Sequence, residues 1–67
     1  MHFVNAHYLA LRNGPTNSAP HITTLKRNNE VELLETYGGW GRVRDKRRNT
    51  VGWAYMRYLA PVGTDVP

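Results

Sequence analysis

The 67-residue sequence contains no cysteine, which excludes a disulfide framework and a cysteine-based metal site. It has no apolar run close to the roughly 18 residues that a membrane-spanning helix needs. Its first residues also lack the basic start and the continuous apolar stretch of a secretory signal peptide. A chain of this length predicts one small domain, whose core contributes only about 3–5 kcal/mol of net stability.

Patterns of catalytic and metal-binding residues are also scarce. The three histidines His2, His7 and His21 are scattered, without the carboxylate or cysteine spacing of a metal site. The hydroxyl residues show no serine–histidine–aspartate arrangement. The glutamates within 30–35 fit a solvated strand face better than an acid–base pair. We therefore expect a protein that is not an enzyme and that has no metal and no cofactor.

The chain does have an excess of positive charge, with nine Lys and Arg residues against five Asp and Glu, a formal net charge of +4. This balance suits an anionic partner such as nucleic acid or an acidic polymer, and it also suits an ordinary mixed-charge surface. The basic patch consists of Arg42, Arg44, Lys46, Arg47 and Arg48. On a hairpin these residues would either contact phosphates or simply discourage edge pairing.

Turn signals divide the chain into short segments. Clusters of turn-forming and polar residues lie at 13–20, 26–30, 37–39 and 45–49. The apolar, β-branched and aromatic segments between them predict strands at 2–5, 7–12, 22–25, 30–36, 40–44 and 50–55. No window shows a sustained 3.6-residue apolar period. The pattern indicates an all-β barrel or sandwich.

Alternation along these strands predicts which side chains face the core. The predicted buried residues are Leu11, Val31, Leu33 and Val43. Because Val43 faces inward, Trp40 should lie on the outer face of the same strand. Trp53 lies between two small residues, Gly52 and Ala54. We therefore expect Trp53 to be the more structural tryptophan and Trp40 to be the more accessible one.

Four motifs follow one another along the chain: LALRNGP at 9–15, LKRNNEVEL at 25–33, GWGRV at 39–43 and GWAYMRYL at 52–59. In order and spacing they resemble the pattern of bacterial Src-homology-3-like (SH3b) domains. That family usually has glycine at the position of Asn29, and asparagine tolerates the left-handed backbone of such a turn.

The resemblance implies a small five-stranded SH3-like barrel formed by residues 1–61, with 62–67 as a C-terminal tail. It also implies a short 3₁₀ turn at 56–58 before a last strand at 59–61. The family role implied is a non-catalytic binding module in the cell envelope. Its partner would be a peptidoglycan peptide or a protein segment, and we expect the domain to be a monomer.

Eukaryotic relatives of this family bind peptides in an aromatic groove. Carried over by position, the groove candidates here are Trp40, Tyr55 and Tyr58, with Tyr8 near the opening motif. Aromatic rings give such a groove large contact area at low entropy cost. The alternative is a small basic barrel that binds nucleic acid through the basic patch with tryptophan alongside.

Overall fold

The computed structural model describes residues 2–61, so the predicted tail 62–67 lies outside the described residues. The strands are β1 (His2–Val4), β2 (Tyr8–Arg12), β3 (His21–Lys26), β4 (Glu30–Tyr37), β5 (Trp40–Asp45), β6 (Thr50–Tyr55) and β7 (Leu59–Pro61). The predicted 3₁₀ turn before the last strand is confirmed at Met56–Tyr58. Within residues 2–61, no helix is long and apolar enough to span a membrane.

All seven strands belong to one sheet with the order β3-β2-β6-β5-β4-β1-β7, in which neighbours run antiparallel. The five-stranded barrel that the resemblance implied is not confirmed, because the sheet has seven strands and its hydrogen-bonded order does not close. The difference lies at the edge of the sheet, where β1 pairs with both β4 and β7. The two short terminal segments thereby become full members of the sheet.

One core joins the two ends of the strand order. Leu25 of β3 and Leu59 of β7 belong to the same buried cluster, so the sheet must curl around a shared interior. The other members of this cluster are Val4, Leu9, Leu11, Val31, Val43 and Ala54. Alternation therefore identified Leu11, Val31 and Val43 correctly.

Leu33 is the exception among the predicted core residues, because it is only half-buried and packs at the edge of the cluster. The β4–β5 register shifts between Leu33 and Glu35. Such a β-bulge adds one residue to a strand and breaks strict alternation. The bulge comes after Leu33, which still lies on the core face opposite Val43. Alternation therefore assigned the face correctly, and the incomplete burial reflects the position of Leu33 at the edge of the cluster.

Two turns use asparagine in the left-handed region. Asn28 has a φ of 73° and Asn49 a φ of 52°. The left-handed residue of the β3–β4 turn is thus Asn28 and not Asn29, as the motif had implied. Asn29 instead closes the turn with its side chain, because its Oδ1 accepts a hydrogen bond from the Lys26 N–H at 2.8 Å.

The glycine before Trp53 allows two strands to approach closely. A Cβ atom at Gly52 would lie 2.6 Å from Cγ of Leu11 and 2.9 Å from the backbone oxygen of Arg12. Neither neighbour can move freely, since one is buried and the other is main chain. The close contact between β2 and β6 therefore depends on the missing side chain.

We predict that Gly52→Ala lowers the free energy of unfolding by about 1–3 kcal/mol through overpacking. Gly14→Ala is the matched control, because a Cβ there meets only Ala19 at an ordinary 3.4 Å. Urea unfolding followed by tryptophan fluorescence measures both variants. Equal stability of Gly52→Ala and the parent protein would show that the strands separate without cost.

A second stability effect involves His2, whose buried Nδ1 has no hydrogen-bond partner among residues 2–61. Burial lowers the pKa of His2 below its ordinary value of 6.5, because the charged ring loses more hydration than the neutral ring. The unfolded chain then binds a proton more readily than the folded protein does. The folded state is therefore favoured above the ordinary pKa and loses stability as the pH falls below it.

We predict that His2→Gln reduces the fall in melting temperature between about pH 7.5 and about pH 5.5. His7→Gln, at an exposed position, serves as the control for loss of a histidine outside the sheet. Thermal melting at the two pH values provides the measurement. An identical pH dependence of His2→Gln and the parent would contradict the assignment.

Candidate functional site

Three of the four predicted ligand residues form one aromatic cluster, defined by Trp40, Tyr55 and Tyr58. The rings of Trp40 and Tyr55 are stacked, with centroids 4.1 Å apart and planes inclined by 26°. Tyr58 meets Tyr55 edge-on, with centroids 6.2 Å apart and planes at 81°. Aromatic pairs prefer stacked and edge-to-face geometries of this kind. The cluster is therefore a packed unit that forms without a ligand.

Strand register explains why these rings meet. Trp40 lies directly opposite Tyr55 in the β5–β6 pair, and directly opposed side chains share a face of the sheet. The chain then enters the 3₁₀ turn, which brings Tyr58 back over Tyr55, since residues three apart eclipse in a 3₁₀ turn. The Met56 N–H donates to the Gly39 backbone oxygen at 3.0 Å, which fixes the 3₁₀ turn against the β4–β5 turn.

The long polar loop 13–20 reaches the aromatic cluster. The Tyr55 hydroxyl donates a hydrogen bond to Oδ1 of Asn17. At the base of the loop, the Arg12 guanidinium donates to the Ala19 backbone oxygen at 3.0 Å. The Asn13 N–H donates to the Pro20 oxygen at 2.9 Å. These bonds hold the loop beside the cluster, so rings and loop form one continuous surface.

The two tryptophans differ from the prediction in their exposure. Alternation does place Trp40 on the face of Arg42 and away from Val43, yet Trp40 retains only 8% of its exposure. Trp53 is half-buried, between Arg12 on β2 and Arg42 on β5. Trp53 is thus the more accessible tryptophan, and the expected exposures were reversed. Alternation assigns a residue to a face but does not show what covers that face.

Two further tyrosines are largely exposed, but only Tyr37 lies at this end of the sheet, because Tyr8 pairs with Lys26 at the end of β2 away from loop 13–20. Tyr37 stands directly opposite Trp40 in the β4–β5 pair and is 67% exposed. Tyr37 was not among the predicted ligand residues, although the tight turn in the sequence YGGW is a signal that Tyr37 and Trp40 face each other. Tyr8 is 71% exposed at the start of β2. Within residues 2–61 it has no ring contact with the aromatic cluster.

The predicted basic patch separates into paired and unpaired charges. Arg42 forms an ion pair with Glu35 at 3.4 Å, and Arg44 forms one with Glu32. Arg48 contacts Asp45 at 3.3 Å. Two members of the patch have no ion pair among the described residues, namely Lys46 and Arg47. Within the basic patch, the unpaired positive charge therefore lies in the β5–β6 turn.

Asp45 organises that turn and was not identified from the sequence. It is 2% exposed, and its Oδ1 accepts a hydrogen bond from the Arg47 N–H at 3.0 Å. An aspartate that bonds a main-chain N–H two residues later shapes a turn. Within residues 2–61, no group of three potential ligand side chains is placed to hold a metal ion.

An antiparallel all-β domain with a 3₁₀ turn before its last strand, and with aromatic rings beside a long loop, has the architecture of an SH3-type module. The family model described as the bacterial SH3 domain matches residues 7–60. The chain belongs to that family. Domains of this type are generally binding modules and not enzymes, and they take peptide or protein ligands. No curated protein and no solved structure matches the chain.

We predict that Trp40→Ala costs about 3–5 kcal/mol of stability, because it removes a buried ring and its stacking contact with Tyr55. Trp53→Ala should cost less, because its ring is only half-buried. Quenching by acrylamide gives an independent measurement in the variants Trp40→Phe and Trp53→Phe, each with one remaining tryptophan. Stronger quenching of Trp40 than of Trp53 would contradict the assignment.

Proposed function

We propose that this domain is a non-catalytic module that binds an extended peptide across the aromatic cluster and loop 13–20. The peptide belongs to peptidoglycan or to a segment of another protein. The observation that carries the proposal is the packed group of Trp40, Tyr55 and Tyr58, joined to the loop through Asn17.

The three rings have different roles in this proposal. Trp40 is almost covered and supports the face of Tyr55 from below. Tyr58 is 39% exposed and offers its ring to a ligand. Tyr55 is half-buried, and its hydroxyl is already held by Asn17. Because the rings are already ordered in the free protein, ligand binding costs little side-chain entropy in the protein.

Charge near the cluster favours a neutral or acidic peptide. Loop 13–20 contains no charged residue, so it offers no carboxylate to attract a basic ligand. The guanidinium carbon of Arg57 lies 5.6 Å from the centre of the Tyr58 ring. An arginine beside an exposed ring can bind a ligand carboxylate while the ring packs on apolar groups. A free carboxylate of a wall peptide would contact the arginine, and apolar groups of the same peptide would pack on the ring.

Two further properties belong to the same proposal. The domain acts as a monomer and is located in the cell envelope, where members of the family commonly attach larger proteins to the wall. Tyr37 extends the contact surface beyond the cluster, because its ring is largely exposed opposite Trp40. Tyr8, opposite Lys26, is not part of this surface. Large aromatic residues contribute disproportionately to binding energy at interfaces.

A titration of the isotope-labelled domain with a soluble muropeptide, followed by amide NMR, tests this function. We expect the amide signals of Asn17, Gly39 and residues 55–58 to shift. Tyr58→Leu should weaken binding by about 5-fold or more, since the loss of an interface anchor costs at least about 1 kcal/mol. Tyr55→Phe removes only the hydroxyl and reports on the link to the loop.

The matched control is the double variant Lys46→Ser with Arg47→Ser, which lies at the opposite end of β5 and should bind the muropeptide normally. Shifts confined to that end of the domain would contradict the proposal. If the muropeptide shifts no signal and an acidic protein-derived peptide shifts the cluster signals, the wall ligand is wrong and the peptide site stands.

A further inference from the structure

Two adjoining clefts lie at the end of the sheet away from the aromatic cluster. The larger has a volume of about 490 Å³ and is lined by Phe3, Asn28, Asn29, Glu30, Lys46 and Arg47. The second measures about 350 Å³ and is lined by Lys26, Asn29, Asp45, Arg47 and Arg48. Because both contain Asn29 and Arg47, they form one continuous feature, here called the turn cleft. It lies between the β3–β4 turn and the β5–β6 turn.

Hydrogen bonds hold the β3–β4 wall of the turn cleft in place. The Val4 N–H donates to the backbone oxygen of Asn29 at 2.9 Å. The Asn28 N–H donates to the backbone oxygen of Val4 at 2.8 Å. The Arg27 guanidinium donates to Oδ1 of Asn5 at 3.1 Å. These contacts fasten the turn to β1 and its neighbouring segment, which places Phe3 at the cleft.

The opposite wall is held by Asp45, the buried carboxylate at the end of β5. It accepts hydrogen bonds from the Arg47 main chain and from the Arg48 guanidinium. The turn is therefore shaped without using the side chains of Lys46 and Arg47. Both cationic groups line the cleft and have no ion pair within residues 2–61.

The turn cleft carries an excess of positive charge. Its lining includes four cations and two carboxylates, a local balance of +4 − 2 = +2. Asp45 is already matched by Arg48, so Lys26, Lys46 and Arg47 remain against Glu30 alone. A cleft with several fixed positive charges along its length attracts a polymer with repeated negative charges.

The remaining side chains indicate which anionic polymer fits. Phe3 is half-buried and lines the larger cleft, so part of an aromatic ring is accessible beside Lys46 and Arg47. Asn28 and Asn29 add amide groups, which can donate and accept hydrogen bonds. A base offers a π face to the ring and polar edges to the amides. A polyol phosphate chain offers hydroxyl groups to the amides but no π face to the ring.

We infer that the turn cleft is a second binding site, specific for single-stranded nucleic acid. Phosphates contact Lys46 and Arg47, and one base stacks on Phe3. The site is independent of the proposed peptide surface, because the six residues of β5 separate them by about 17 Å at strand spacing. Failure of one site therefore leaves the other unaffected.

Fluorescence anisotropy with a labelled ten-nucleotide oligothymidine tests the inference. We expect binding that weakens with salt, with a slope of about 0.7 per phosphate contact. Lys46→Ser with Arg47→Ser should lower this slope by up to about 1.4. The matched control is Arg42→Gln with Arg44→Gln, which removes the same net charge from residues paired with Glu35 and Glu32. The control should retain the slope of the parent.

The contribution of the base is measured with an abasic deoxyribose phosphate decamer on the unaltered protein. We expect the abasic chain to bind the unaltered protein about 5-fold or more weakly than oligothymidine does, because stacking on one ring is lost. For the same reason, Phe3→Leu should bind oligothymidine about 5-fold or more weakly than the unaltered protein does. Equal affinity for the abasic chain or for a glycerol phosphate polymer would overturn the nucleic-acid assignment. Equal losses in the two double variants would overturn the location.

Discussion

The pairing of β5 with β6 is the interaction on which the other features of this domain depend. Its register places Gly52 and Ala54 on the inner face, where β2 packs closely, and Trp53 and Tyr55 on the outer face. A shift of one residue would exchange these faces. The large rings of Trp53 and Tyr55 would then point into the core. Gly52 and Ala54 would lie on the outer face, where the aromatic cluster would lack the ring of Tyr55. Both the core and the aromatic cluster thus depend on one register.

The same strand pair separates two surfaces of different chemistry. At one end, Trp40 and Tyr55 stack beside an uncharged loop. At the other end, Asp45 shapes a basic turn that faces the polar β3–β4 turn across the turn cleft. Between them, Arg42 and Arg44 are matched by glutamates of β4. Exposed ion pairs of this kind contribute only about 0–1 kcal/mol to stability. Their main effect is to leave Lys46 and Arg47 of the turn as the unpaired members of the basic patch.

Much of the fold could be predicted from the sequence because turn residues and alternation are local signals. Six predicted strands exist with ends within one residue of the prediction, and Leu11, Val31 and Val43 are buried. Features that need a partner from a distant strand could not be predicted. The bulge after Leu33, the burial of Trp40 under Tyr55 and the matching of the strand arginines by glutamates all depend on strand register. Alternation within one strand does not contain that information.

The most direct test of the central claim, that a peptide lies on the aromatic cluster, is to detect intermolecular nuclear Overhauser effects in the muropeptide complex. With the tyrosine and phenylalanine rings labelled, we expect contacts from ligand methyl groups to the exposed ring of Tyr58 and to Tyr55. We also expect no contact to Phe3 at the other end of β5. A bound muropeptide that contacts Phe3 and neither tyrosine would contradict the account.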